Sequence, residues 1–280
     1  MKRVLSRLWA GWTGRIMLTF LGVVLLVGLF APVLPLGDPV AMDPMQKLLG
    51  PSALHPFGTD HLGRDTLSRI IWGIRTTVYT SILAMIATSV IGALYGGIAG
   101  TAGGKTDSAL MRFADFFMSF PSEVLILAMV GILGPGLGNI VIACIASKWA
   151  WYARMMRAVI RKAKLSGYVT FAETAGESPA GVLFRHLFPV AAGEFFVLLT
   201  LDTGAVVLDI STLSFLGLGV QPPAPEWGMM LSEAKGVLFA YPGQMAAPGV
   251  AILLVVAAFN FLGDALRDAF DTQASGRPEE

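Results

Sequence analysis

The chain alternates long, nearly uncharged apolar runs with polar joints, and the runs have the length of a bilayer crossing rather than the narrow stripe of a soluble helix. A membrane helix needs about 20 mostly apolar residues to cross roughly 30 Å of hydrocarbon. Six runs qualify: about Ile16–Leu36, Thr77–Gly97, a stretch within Ala114–Leu133, about Leu137–Ala158, about Ala191–Leu216, and Ala247–Leu266. Pro121 near the start of the third predicts a kink there. The fifth is the weakest, because Glu194, Asp202 and Asp209 interrupt it. A cleaved signal peptide is the rival for the first run, since basic residues precede it; the run is too long for such a core, and no A-x-A site follows.

Two joints exceed what a turn requires. Residues 37–76 are rich in Pro, Gly and Asp and predict a small ordered cap rather than a helix. Residues 161–190 are polar and long enough to form helices of their own. Residues 1–15 precede the first span, 77–271 hold the other five, and 272–280 read as a disordered tail.

Composition agrees with an all-α polytopic membrane protein of six spans. Of 280 residues, 55% are hydrophobic and 14% charged, and the mean hydropathy is +0.68; a soluble domain carries about 25% charged residues. A net charge of +1 gives no reason to expect nucleic acid as a partner. The single Cys144 excludes an internal disulfide or a multi-cysteine centre, and His55, His61 and His186 are too scattered for a metal site.

Charge asymmetry sets direction. Lys2, Arg3, Arg7 and Arg15 precede the first span, Lys105 and Arg112 lie between the second and third, and Arg154, Arg157, Arg161, Lys162, Lys164 and Arg185 crowd the joint after the fourth. The alternate joints carry almost none. The positive-inside rule then puts both termini in the cytoplasm and the cap outside, although the cap and its flank hold four basic residues, partnered by Asp38, Asp43, Asp60 and Asp65.

The joint before the fifth span has a definite shape. Tyr168 to Ala175 reads as a short helix ended at Gly176 by a left-handed turn. Ser178 is then an N-cap with Pro179 at the first helical position, Val182, Leu183, Leu187 and Phe188 form the apolar face of a second helix, and Pro189 stops it. Such an elbow fits a groove on a soluble partner, by helix-in-groove docking. A hairpin lying on the lipid surface is the alternative, and both are open on these grounds.

This joint resembles the EAA-loop of bacterial ABC-importer permeases. HPFGTDHLGRDTLSRIIWGIRTTV (His55–Val78), ADFFMSFPS (Ala114–Ser122), WYARMMR (Trp151–Arg157), RHLFPV (Arg185–Val190), LSFLGLGVQPPAPEWGMML (Leu213–Leu231) and FNFLGDALRDAFD (Phe259–Asp271) all look like the second permease subunit of dipeptide, oligopeptide and nickel importers. The resemblance implies a cytoplasmic coupling helix seated on an ATPase subunit, carried here by Tyr168, Thr170, Phe171, Ala172, Glu173, Ala175, Gly176, Arg185 and His186. Thr170-Phe171-Ala172 stands where the family has Glu-Ala-Ala, with Glu173 next and Gly176 in place, so the loop glutamate's role does not transfer to Thr170. The implied partners are a second homologous permease, two ATPases, an extracytoplasmic binding protein and membrane lipid, in a bacterial inner membrane. No G-x-x-x-x-G-K-[ST] loop is present, so ATP and Mg belong to the ATPases, and no cofactor or catalytic residue is expected here. WAWYARMMR (Trp149–Arg157) and the Pro222–Met230 spacing lean toward nickel-type members; peptides or an opine-type metal chelate stay open.

The remaining motifs each have a bland alternative. GTDHLGRD (Gly58–Asp65) offers Asp60, His61, Arg64 and Asp65 as an acid–base cluster; a glycine turn at Gly58 and Gly63 whose charges pair is favoured, in a structural or gating role. Gly92, Gly96, Gly97 and Gly100 give the spacing for close helix packing. Trp149, Trp151 and Tyr152 read as an interfacial aromatic belt. Asp202 and Asp209 share a helix face and default to pathway lining, because carboxylates in a span are expensive; pairing of Asp202 with Arg154 or Arg185 is the alternative. Asn260 is placed in the same cavity, and Cys144 reads as a small buried hydrophobe. A stand-alone secondary transporter or an intramembrane enzyme would need inverted repeats or a convergent catalytic set, and neither is evident.

Overall fold

The computed structural model describes residues 2–270, and the tail assigned to residues 272–280 lies outside them. Among the described residues the chain is helical, with no strand beyond one isolated bridge, Thr59 to Asp65. In order the helices are α1 (Lys2–Ala10), α2 (Trp12–Phe30), α3 (Thr66–Gly73), α4 (Thr80–Ala102), α5 (Gly104–Met118), α6 (Ser122–Leu133), α7 (Leu137–Lys164), α8 (Gly167–Thr174), α9 (Pro179–Gly181), α10 (Phe188–Phe215), α11 (Trp227–Ala234) and α12 (Gly243–Phe270).

Widened turns of the i→i+5 type at Ile74–Tyr79 and Val182–Leu187 fuse α3 to α4 and α9 to α10. Four helical stretches are long and apolar enough to cross a bilayer: Trp12–Val33, Thr66–Ala102, Pro179–Phe215 and Gly243–Phe270. A fifth arises if α5 and α6, bent by 78° at Pro121, count as one. The α7 helix is not in that set, because its last turns are basic and Lys148 interrupts its middle.

Several sequence expectations shift. Residues 66–76, assigned to the cap, are helical: Asp65 caps α3 by accepting the Ser68 amide at 2.7 Å, so the helix starts eleven residues before Thr77. The third run is two helices rather than one. Pro189 does not stop a helix; it falls just after the widened turn at Val182–Leu187, and the helical path runs on from Pro179.

Two ends of the bundle follow from helix directions. The α4 helix, 23 residues and roughly 34 Å long, starts beside the cap and ends where Lys164 Nζ donates to the Thr101 carbonyl at 3.0 Å. Gln244 at the start of α12 donates to the Thr59 carbonyl in the cap at 2.6 Å, while Arg7 of α1 reaches the Ala269 carbonyl at the other end. Thus α1 and the end of α12 share the end that carries α8.

Packing is tightest between α4 and α7. A Cβ on Gly92 would lie 2.4 Å from that of Tyr152, and one on Gly96 would lie 2.0 Å from the Ala153 carbonyl oxygen. The glycine spacing therefore serves backbone approach, as lipid-embedded helices require. Around this seam, Ala84, Met85, Ile126, Ile140, Cys144, Tyr152, Val206 and Ile210 form one core, and Ile74, Val78, Val207, Trp227, Ile252 and Phe259 tie α10 to α11 and α12 in another.

Candidate functional site

In mid-bundle, α7 and α10 run antiparallel and face each other with charged side chains. Lys148 Nζ stands 3.1 Å from Asp209 Oδ2, and Tyr152 donates its hydroxyl to Asp202 Oδ2 at 2.7 Å. The spacing explains the ladder: Lys148 and Tyr152 are one turn apart on α7, and Asp202 and Asp209 are two turns apart on α10. The pairing alternative for Asp202 is corrected in its partner. Arg154 pairs instead with Asp115, and Arg185 with Glu177.

The ladder is flanked by two clefts. One, of about 220 Å³, is lined by Ser122, Ser147, Lys148, Trp151, Tyr152 and Asp202 among others. The second, of about 300 Å³, is lined by Glu123, Asp209, Thr212 and apolar neighbours. The bend at Pro121 supplies Ser122 and Glu123, because α6 turns back along α7 at that point. Asn260 does not join them: it lies on α12 with Oδ1 3.6 Å from where a Gly204 Cβ would stand, and lines neither cleft.

Sequence reasoning missed Lys148, Tyr152 as a partner, and Glu123. Lys148 had a signal: it is the single basic residue between Arg112 and Arg154, and a lysine in a span is expensive by the same rule that singled out the aspartates. The aromatic belt is corrected too. Trp149 packs edge-on against Tyr95 and Phe117, Tyr152 is 1% exposed and turned toward Asp202, and Trp151 alone of the three is well exposed. Three near-consecutive residues on a helix point in different directions, so one rim cannot hold them all.

The cap end is a closed electrostatic unit. Gly58 and Gly63 take positive φ of 72° and 80°, and at each a Cβ would also strike a carbonyl oxygen, of Leu49 and Asp43 respectively. This bends the chain so that Asp60 accepts from the Leu62 amide and from Arg64 Nε at 2.8 and 2.6 Å. Arg64 and Arg69, both essentially unexposed, each donate to Glu233 Oε2 of α11 at 2.8 Å. Asp65 meets His55 Nδ1 at 2.9 Å while capping α3. Nothing converges there as a catalytic set; the charges pair, as the turn alternative expects. Two of the four basic residues that strained the charge asymmetry are thereby neutralised inside the protein. Below the cap, the buried Glu226 carboxylate accepts the Gly228 and Met229 amides and the Thr77 hydroxyl, and burial pushes its pKa above the ordinary carboxylate range.

The elbow end is open. Tyr168, Thr170, Phe171, Glu173 and Ala175 are exposed on α8, Phe171 at 75%, whereas Val169 and Ala172 turn inward onto Met156, Ile160 and Leu187. Gly176 has φ +85°, and the amides of Gly176 and Glu177 return to the Glu173 and Ala172 carbonyls, the glycine-terminated stop that the sequence predicts. Ser178 caps the next turn by accepting the Gly181 amide. Glu177 bridges to His186 Nε2 at 2.7 Å and to Arg185 at 3.5 Å.

A helical bundle of apolar stretches with a charged seam at its centre and an exposed elbow at one end defines an integral membrane transport subunit. The chain covers 96% of a subunit of a methionine ABC transporter solved in inward-facing conformations, at TM-score 0.55 and 19% identity over 72% of this chain, which shows the fold alone. Residues 92–275 match the family of the binding-protein-dependent transport system inner membrane component, and the chain belongs to it. It is 40% identical to the nickel transport system permease protein of Escherichia coli, over 93% of this chain and 94% of the relative. It is 38% identical to the metal-staphylopine import system permease protein of Staphylococcus aureus, over 92% and 90%. To the dipeptide transport system permease protein of Alkalihalophilus pseudofirmus it is 36% identical, over 88% and 81%. The protein is thus a multi-pass inner-membrane permease subunit of an ABC importer, not itself an enzyme, in a family that works with a second permease, ATPases and a binding protein.

Proposed function

We propose that this permease conducts a nickel ion or nickel chelate along the α7–α10 seam, driven by ATPases that grip the elbow. The observation that carries the coupling role is the elbow itself: an apolar surface around Phe171 and Tyr168 exposed at the end of a 28-residue helix, where a folded monomer would bury it. With both termini on the elbow's side, that end is cytoplasmic and the cap extracytoplasmic, in keeping with the basic joints. Six crossings then include α7, whose polar seam faces a pathway rather than lipid, with the permease core spanning residues 77–271 and the coupling loop 161–190. Tyr168, Thr170, Phe171, Ala172, Glu173, Ala175, Gly176, Arg185 and His186 form the ATPase contact and its support. Asp202 and Asp209 line the pathway, and Gly58, Asp60, Gly63, Arg64 and Asp65 build the outer cap. ATP and Mg act on the ATPases. Closure of these swings α8, and the continuous path from Pro179 to Phe215 carries the motion to Asp202 and Asp209.

Two metal-importer relatives and the carboxylates of the seam support the metal reading. A dipeptide would need apolar walls and a terminal-carboxylate donor, and the clefts offer one ammonium, Lys148, already taken by Asp209. Coupling is tested by co-purification, in which Gly176→Arg abolishes capture of the ATPase while the partner permease stays bound. Substrate is tested by calorimetry on the cognate binding protein with nickel, nickel–histidine and dipeptides. Binding of dipeptides alone would replace the metal reading with the peptide one and leave the coupling role intact.

A further inference from the structure

Lys148 sits where a mobile cation would be held. Its Nζ contacts Asp209 Oδ2 at 3.1 Å, side chains 17% and 20% exposed, with cleft on either side of the pair. The contact is a single-point ion pair, and no second group donates to that oxygen. Nothing else pins it. The next rung holds Asp202 through Tyr152, and Glu123 borders the Asp209 cleft from α6. Two carboxyl groups, of Asp209 and Asp202, thus stand near one ammonium, and a third, of Glu123, borders the cleft beside Asp209.

Static pairs in this protein look different. Arg157 grips Asp107 with Nε and Nη2, both at 2.5 Å, in the planar two-point arrangement that fixes geometry. Lysine is a point charge on a flexible four-carbon stem, and it can leave one carboxylate for another without breaking a fork. Asp202, one rung along, lines the same cleft as Lys148.

We propose that Lys148 is a tethered counter-ion that occupies the Asp209 carboxylate between transport events and that a cationic cargo displaces from it. This rests on the seam being the pathway. The consequence is selectivity. A cargo with positive charge, such as a metal complex, takes the Asp209 carboxylate while the ammonium turns to Asp202, so each cation keeps an anionic partner, whereas a neutral or anionic cargo offers Asp209 no replacement for the ammonium in a low-dielectric passage.

The test uses the full transporter, both permeases with ATPases and binding protein, in proteoliposomes. Thr212→Cys, in a Cys144→Ser background, reports on the Asp209 cleft. Its reaction rate is measured with a cationic trimethylammonium-ethyl methanethiosulfonate and an anionic sulfonato-ethyl one, without nucleotide and with ATP. Lys148→Gln should raise the cationic-to-anionic rate ratio about tenfold, because a unit charge is removed a few ångströms from the thiol in a medium less polar than water. Lys148→Arg should leave the ratio near its starting value. Asp209→Asn alone should lower it, which keeps the proposal testable if Lys148→Gln fails to assemble, and combining Asp209→Asn with Lys148→Gln should restore it. A reacting cysteine whose ratio ignores both single variants would overturn the counter-ion role while the pathway stands. If the cysteine reacts with neither reagent in either state, the seam is closed to water and both ideas fall.

Discussion

The two ends of the bundle are built on opposite principles. At the cap, Arg64, Arg69 and Asp60 are buried and paired with one another and with the half-buried Glu233, and Trp227 adds an indole hydrogen bond to the Ile70 carbonyl at 2.9 Å. At the elbow, α8 shows Phe171, Tyr168 and Leu165 to solvent and is held inward mainly by Val169 and Ala172. One end has its charges paired within itself, with Arg64 Nη1 and Thr66 Oγ1 the buried exceptions; the other is short of a partner. The contrast teaches where motion enters: an end whose charges are locked resists deformation, and an end with unburied apolar surface gains free energy by being gripped.

The contrast can be broken most severely at the cap. Glu233→Ala takes away the carboxylate that two buried guanidinium groups share, leaving them Asp60 alone as a carboxylate partner, and should destabilise the fold by about 3 kcal/mol, read as a lower unfolding midpoint of the detergent-solubilised protein. If that midpoint holds, the cap is not the locked end described. Phe171→Ala should do the reverse, leaving stability within about 0.5 kcal/mol while reducing ATPase capture by about 30-fold or more. Unaltered capture would show that the exposed ring faces lipid. Smallest is Glu177→Ala, which removes the brace to His186 and Arg185; as these groups are partly solvated, its stability effect should stay within about 1 kcal/mol, with ATP hydrolysis retained and transport per ATP lowered. An unchanged ratio of transport to hydrolysis would make Glu177 decorative.

Much of this was legible in the chain because bilayer crossing and turn chemistry are local. The runs, the Pro121 break, the Gly176 stop, the Ser178 cap and the glycine spacing on α4 all follow from residues within a turn or two of one another. What escaped was set by distance in sequence. Arg64 and Glu233 lie 169 residues apart, so the sequence offered Arg64 only Asp60 and a puzzle over outward-facing positive charge. Tyr152 was read with its aromatic neighbours as a belt, since nothing near it revealed Asp202 fifty positions on. Helix ends also moved: the widened turns at Ile74–Tyr79 and Val182–Leu187 let helices run through segments where composition or proline argued for a stop.

The glycine seam between α4 and α7 has one more consequence. With Gly92 and Gly96 pressed onto α7 at Tyr152 and Ala153, the two helices meet almost backbone to backbone at that crossing and leave little slack there to absorb a displacement. They form a linkage without backlash. A tug on α7 from the elbow is felt at once along α4, up to the Thr77 hydroxyl that hangs on Glu226 under the cap. The two ends of the bundle are therefore linked mechanically through this seam, and a bulkier residue at Gly96 would pry the linkage apart without touching either end.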